Sequence, residues 1–290
     1  MDAQIELAPD RFAIGQSVRR TEDPVLLRGE GRYTDDLNLP GQAYAVVVRS
    51  RVAHGVLRRV DTAEAQAMPG VLMVITGADL VAAGLGPMPV IVFGQNHDGK
   101  PVPRAAQLAL ATDRVRYAGH PIAVVVAETR AEAKDAAEMV LAEIDELPVV
   151  LTPQDAVADG APQLYDDAPG NVMLDWRSGD SKAVAEAFAS AAHVTRLEMR
   201  NSRIVVAAME PRSAIGGWDA EDGRYVLRLG CQGAMNMRNL LAGPMAVPPE
   251  KVRVLVGNVG GSFGMKYTCY PEYVAVLHAA RAGPPGEMDR

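Results

Sequence analysis

Asn258-Val259-Gly260-Gly261-Ser262-Phe263-Gly264-Met265-Lys266 is the stretch on which the reading of this chain turns. It sets three glycines within five residues, after a strand-like apolar run at 251–256 and before a helical pattern at 270–281. A glycine-rich turn between strand and helix frees backbone N–H groups to point at an anion or an electron-rich oxygen. Such a turn can cradle a phosphate, an oxyanion or a metal-oxo group. Its spelling excludes two common loops. The phosphate-binding G-x-x-x-x-G-K-[ST] needs Gly directly before Lys, and Met265 separates Gly264 from Lys266; the dinucleotide fingerprint G-x-G-x-x-G needs Gly at the position of Val259.

The chain has 290 residues, enough for one large core or two modest ones, with 48% apolar and 22% charged residues. Its net charge of −7 argues against broad binding to nucleic acid or anionic membranes. No apolar run approaches the roughly 18–20 residues that span a bilayer. Arg19-Arg20 is a twin arginine, but Thr21-Glu22-Asp23-Pro24 follows it instead of an apolar signal core. Cys231 and Cys269 are the 2 cysteines, with no C-x-x-C spacing. That is too few for an iron–sulfur cluster, a structural zinc or a disulfide framework, and a reducing cytoplasm is the expected setting.

Along the chain, residues 1–20 read as an N-terminal arm and 21–150 as a mixed domain. Apolar, β-branched runs at 43–48, 71–76 and 122–127 read as strands. Thr129 and Glu132 spell a capping box, and Ala133, Ala136, Ala137 and Val140 fall on one face of the helix that follows. Residues 80–99, rich in Gly and Pro, read as a long loop or ligand-facing excursion. Residues 151–180 read as a linker wrapped over a surface. A second domain occupies 181–290, with a helix at 182–192, strands at 194–199, 204–206, 213–215 and 224–229, and a helix at 233–241. Strands and helices interleave without strict βαβ alternation, so the fold class is α+β.

The run GGSFGMK followed by YPEYVAVLHAARA resembles the molybdenum-binding large subunits of the xanthine dehydrogenase and aldehyde oxidase family, closest to the aerobic carbon monoxide dehydrogenase branch. Five more motifs in the right order support it. GQSVRRTEDPVLLRGEGRYTDD (15–36) is similar to that branch's entry segment. Residues 49–80 and VRYAGHPIAVVVA (115–127) are similar to its α/β hammerhead domain. Met209-Glu210-Pro211-Arg212 and Cys231-Gln232-Gly233 are similar to the start of its molybdenum-cofactor-binding α+β domain.

The resemblance implies a molybdopterin cytosine dinucleotide carrying molybdenum, with partner subunits holding 2Fe-2S clusters and FAD. It implies oxidative hydroxylation of an aldehyde, an N-heterocycle or a similar small molecule, or carbon monoxide oxidation, with water as the oxygen source. A glutamine amide donates to an oxo ligand without adding charge, and the resemblance gives Gln232 that place beside the metal's apical oxygen; the plain alternative is a loop or helix-cap glutamine. Gly260, Gly261, Ser262, Phe263 and Gly264 are the loop implied to approach the metal-oxo group. Phe263 borders a substrate channel or plugs the strand–helix corner. Arg238 contacts a cofactor phosphate or caps a helix C-terminus. Glu210 and Arg212 read as an ion pair bracing the turn at Pro211 in preference to a general base. No residue of the chain is expected to ligate metal directly. His54, His97, His120, His193 and His278 have no metal spacing, and His120 reads as structural.

In this family the catalytic glutamate and most dinucleotide contacts lie downstream of the glycine loop, so the chain is expected to hold a minority of an active site. The family pattern after the last helix is Gly-Arg-Pro-Val-Lys-Trp, whereas Glu287-Met288-Asp289-Arg290 is what GTG AAA TGG ACC G spells from its third base. A reading frame shifted near Ala282 is therefore expected. The competing classes are a non-catalytic remnant or binding module, and one half of a split large subunit. In either, the face of the last helix bearing Tyr273, Val274 and Leu277 is expected to lack cover, while residues 42–147 are expected to close their own core.

Overall fold

A computed structural model describes residues 19–92, 94–104, 106–202 and 204–283. Most of the expected N-terminal arm, and the C-terminal stretch on which the frame-shift reading rests, lie outside the described residues. The secondary structure runs α1 (Asp23–Leu27), β1 (Tyr44–Arg49), β2 (Gly55–Asp61), α2 (Ala63–Gln66), β3 (Val71–Thr76), α3 (Gly77–Ala82), β4 (Arg114–Val115), β5 (Pro121–Ala127), α4 (Arg130–Glu138), β6 (Leu141–Glu146), α5 (Pro153–Ala156), α6 (Ser181–Ser190), β7 (Ala214–Asp219), β8 (Arg224–Leu229), α7 (Ala234–Ala242), β9 (Val252–Leu255) and α8 (Pro271–Ala282).

The first half holds two three-stranded antiparallel sheets, ordered β1-β5-β3 and β4-β2-β6. All seven residues of β5 are buried. Its side chains alternate between faces. Ala123 and Val125 face α2 and α4, where Ala65 and Ala136 allow close approach. Val124 and Val126 face the other way, into a cluster shared with the second half of the chain. α4 starts as its sequence spells: Thr129 Oγ1 accepts from Glu132 N at 3.2 Å, and Glu132 Oε2 accepts from Thr129 N at 3.0 Å. Strands β2 and β6 were not anticipated, because their outward faces are charged. Arg58 meets Asp145 at 2.6 Å across the pair, and Arg59 lies 3.9 Å from Glu143.

In the second half β7 and β8 pair antiparallel while β8 and β9 pair parallel, with α7 as the crossover. α8 lies across β7 so closely that a Cβ on Gly216 would sit 2.7 Å from the Val276 carbonyl oxygen. Two expectations fail here. Tyr273, Val274 and Leu277 of α8 are covered, by β7 and β8 and by β3 and β5 of the first half, whose Ile75, Val124 and Val126 share their cluster. The first half therefore does not close its core alone; it shares the largest apolar cluster among the described residues.

Residues 194–199 and 204–206, expected as strands, form no ladder, and every described residue from 181 to 202 is exposed. The stretch 151–180, expected as a linker, touches the first half at several points. The Arg116 guanidinium lies 4.7 Å from the Tyr165 ring centroid and donates to the Leu164 carbonyl at 3.0 Å; Asn96 Oδ1 accepts from Asp175 N at 2.9 Å. The excursion after α3 borders a hollow of about 400 Å³ lined by Val90, Val92, Lys100, Val102 and Arg104 among others. No helix among the described residues is long and apolar enough to cross a membrane.

Candidate functional site

β8 and β9 are parallel neighbours, so both strands run out at the same sheet edge. Loops leaving the carboxyl ends of parallel strands meet in space, which is where open sheets hold ligands. β8 runs through Gly230 and Cys231 to Gln232 and then α7; β9 runs into the glycine loop and then α8. The two exits are tied together: Gln232 N donates to the Lys266 carbonyl at 3.2 Å, and Asn236 Nδ2 to the Tyr267 carbonyl at 3.4 Å.

The loop is held from beneath by Glu210. Its Oε2 accepts from Lys266 Nζ at 2.6 Å and from Gly260 N at 2.9 Å, while Glu210 N donates to the Gly260 carbonyl at 3.1 Å. Lys266 is only 1% exposed, among the largest fully buried side chains described. The close fit needs two glycines. A Cβ on Gly260 would fall 2.5 Å from Glu210 Cβ, and one on Gly230 2.9 Å from Glu210 Oε2. Glu210 thus pairs with Lys266, not with Arg212 as the sequence suggested. Arg212 instead lies over the Tyr270 ring, 3.6 Å from its centroid, and 3.9 Å from Glu272. The pairing escaped sequence reasoning because the partners are 56 residues apart; a lysine ending a glycine-rich apolar stretch was the one available signal.

A second brace comes from the entry segment. Asn258 Oδ1 accepts from Arg32 N at 2.8 Å, and Asn258 N donates to the Arg32 carbonyl at 3.2 Å. Farther on, Tyr270 donates its hydroxyl to the Met265 carbonyl at 2.5 Å.

Above these braces the loop faces outward. Gly261 and Gly264 adopt φ of +94° and +91°, and Phe263, a residue with a Cβ, is held at φ +49°. That conformation is costly for an aromatic residue and persists only where the surroundings impose it. Phe263 is 77% exposed, so it does not plug the strand–helix corner. Its ring folds over Gly261, where a Cβ would be 2.8 Å from Phe263 Cε2. Among the described residues, the N–H groups of Gly261, Ser262, Phe263 and Gly264 donate to no acceptor. Ser262 Oγ is buried without a partner. Gln232, also exposed, makes no side-chain bond among them. Four consecutive free donors beside a free amide, on a braced loop, suit an anionic or oxo-rich group.

Other candidates are not hydrogen-bonded into this arrangement. Arg238, on α7, bonds only to Asn239 Oδ1, at 3.3 and 3.4 Å, and does not cap the helix C-terminus. Cys269 is buried, and burial, with Glu272 adding to it, pushes its thiol up to about 12, which keeps it protonated. His120 is buried against the Tyr117 ring, centroids 4.5 Å apart, and its Nδ1 accepts from Arg116 N at 3.2 Å. Burial, helped by the Arg116 charge, lowers its imidazole to about 4, which fits a structural role. Among the described residues no three His, Cys, Asp or Glu side chains gather as a metal site.

Comparison with known proteins accords with this architecture. Residues 28–148 match the aldehyde oxidase and xanthine dehydrogenase a/b hammerhead domain, and residues 164–284 the molybdopterin cofactor-binding domain. The nicotine 6-hydroxylase large subunit of Paenarthrobacter nicotinovorans is 35% identical over 93% of this chain and 32% of its own length. The carbon monoxide dehydrogenase large chain of Hydrogenophaga pseudoflava is 31% identical over 89% of this chain and 32% of its own. Quinoline 2-oxidoreductase from Pseudomonas putida 86 superposes with a TM-score of 0.80 at 35% identity, over 92% of this chain and 33% of that one. The chain thus spans about a third of the length of the curated relatives it matches. With a hammerhead domain followed by the beginning of a molybdenum-cofactor-binding domain, it belongs to the xanthine dehydrogenase and aldehyde oxidase family of molybdopterin-binding large subunits.

Proposed function

We propose that this chain supplies one wall of the cofactor site of a molybdenum hydroxylase large subunit, acting on an aldehyde, an N-heterocycle, a similar small molecule or carbon monoxide. The observation that carries the reading is the row of free N–H groups from Gly261 to Gly264 beside the Gln232 amide, at the shared exit of β8 and β9. When bound, a molybdopterin cytosine dinucleotide would supply two-electron oxidation at molybdenum with water as the oxygen source. Toward that group the loop N–H donors and the Gln232 amide hold negative charge at a fixed place without contributing charge of their own. Phe263 covers Gly261 and limits what approaches the loop. Arg238 is the residue proposed for a cofactor phosphate. Glu210 is read as a brace in preference to a general base, since Lys266 and Gly260 hold its Oε2 while its Oε1 is buried beneath the loop without a partner. The proton acceptor for the reaction is therefore expected outside this chain, as are the partner subunits carrying 2Fe-2S clusters and FAD. A cytoplasmic setting goes with this reading.

The test uses the large subunit completed by its other two thirds. Gln232→Ala is expected to retain molybdenum while kcat falls by about 10²–10³, the usual loss for one preorganised donor. Gln232→Glu should fall further, because a carboxylate offers no donor. Parent-like turnover with full metal in Gln232→Ala would remove Gln232 from the site.

A further inference from the structure

The glycine loop is tethered at its start by Asn258 and from beneath by Glu210, and its exit toward α8 has a tether of another kind. Tyr270, directly before α8, donates its hydroxyl to the Met265 carbonyl at 2.5 Å, the short end of the O–H···O range. The next carbonyl along, that of Lys266, takes the Gln232 N–H and so joins the two strand exits. The phenol that sets this peptide is itself held. Arg212 covers one face of its ring, and the Tyr273 ring meets it edge-on with centroids 5.7 Å apart. Behind Arg212 stands Glu272, in the first turn of α8, where the helix end favours a carboxylate. Glu272 Oε1 is bound by Arg49, at the end of β1, and Arg49 Nη1 also donates to the Gly119 carbonyl at 3.1 Å. Glu272 Oε2 is buried with no hydrogen-bond partner among the described residues, so charge alone links it to Arg212, 3.9 Å away. One carboxylate thus stands between two guanidiniums, one from each half of the chain.

We propose that Tyr270 is a positioning residue of the glycine loop, and that Arg49 of the first half acts on the loop through Glu272, Arg212 and Tyr270. What the loop is positioned for rests on the reading of it as a cofactor wall; the positioning itself does not. The order of the links follows from their chemistry. A hydroxyl on a ring free to turn gives up the Met265 carbonyl to water, whereas a ring held under a cation keeps its direction. The flat guanidinium can cover a ring face, and the compact ammonium of a lysine cannot do so in the same way. Removing the Glu272 charge releases Arg212 from the ring toward solvent. Each link therefore has one substitution that breaks it while its neighbours keep their shape.

Amide hydrogen exchange on the full 290-residue chain reads the loop without any cofactor. The reporters are the Gln232 and Met265 amides, which donate to the Lys266 and Ser262 carbonyls. Tyr270→Phe keeps the ring and loses only the hydroxyl. Both reporters should then exchange about tenfold faster, the scale of one lost hydrogen bond, while the Leu227 and Leu277 amides in the shared core keep their parent rates. Arg49→Ala, Glu272→Gln and Arg212→Lys should each speed the same reporters by about threefold, the scale of a cation over a ring. The signature of a serial route is non-additivity: Glu272→Gln placed on Tyr270→Phe should change the reporters no further. Parent rates at the reporters in Tyr270→Phe would overturn the proposal. So would equal acceleration of Leu227 and Leu277, which makes the bond one of general stability. Full additivity in the double variant would overturn the route from Arg49. In the completed subunit Tyr270→Phe is expected to keep molybdenum and KM while kcat falls about tenfold, as for a slightly misplaced group. Faster reporters with parent kcat uphold the positioning role and defeat the cofactor reading; parent reporters with lowered kcat do the reverse.

Discussion

Replacing Glu210 by Gln tests whether a buried charge pair sets the floor of the site. Lys266 is buried to 1% exposure and meets Glu210 Oε2 at 2.6 Å. Gln keeps the shape of Glu but removes the charge, leaving an ammonium against a neutral amide with no other acceptor among the described residues. Breaking a buried pair from one side costs about 3–5 kcal/mol, because the remaining charge stays desolvated. The Gly260 N–H bond survives on the amide oxygen, so little is added for it. In a chain of this size roughly 2–4 °C of Tm follows each kcal/mol, so a fall of about 6–20 °C is expected. Lys266→Met should cost a similar amount by stranding the carboxylate. The double variant removes both charges and should cost well under the sum, with a coupling of about 2 kcal/mol or more. Urea unfolding of the chain and its three variants closes this cycle, and exchange of the Gln232 and Gly260 amides shows whether the loss is felt at the loop. Single variants that each cost under about 1 kcal/mol, or additivity in the double, would refute the claim that this pair braces the loop.

Gly261→Ala should fail before any chemistry, since its φ of +94° disfavours a side chain and the added Cβ meets the Phe263 ring; molybdenum content of the completed subunit is the measurement. His120 makes stability depend on pH. Its folded pKa of about 4 lies below the unfolded 6.5, so the unfolded chain binds more protons between them. The stabilisation is whole above pH 6.5 and falls as pH drops toward 4, by up to about 3 kcal/mol at about 1.4 per unit. His120→Gln should flatten that part of the stability–pH curve. Limited proteolysis should cut within 181–209, and the shared core should keep the two fragments together on gel filtration until denaturant is added.

What the sequence disclosed was local. Thr129 with Glu132 wrote the start of α4, an unbroken apolar run wrote β5, and GGSFG between β9 and α8 wrote the loop. β2 and β6 stayed hidden because their Arg, Asp and Glu pair across strands on the solvent side, which blurs apolar alternation. The segments 194–199 and 204–206 have strand spelling but no ladder partner among the described residues, and a strand is a property of two segments. The brace of Glu210, Lys266, Asn258 and Arg32 joins residues scattered along the chain, and no local pattern marks such pairings. Phe263 took its place from backbone geometry at φ +49°, not from hydrophobicity.

The two-faced burial of β5 has a mechanical meaning. Val124 and Val126 are seated in a cluster with Leu227, Val274 and Leu277, while Ala123 and Val125 are seated against α2 and α4. Sliding or tilting one half of the molecule on the other would drag one set of side chains out of close-packed surroundings, and such interiors resist small displacements. The strand acts as a rivet between the halves. Under the proposed reading, access to the glycine loop does not come from these two halves parting.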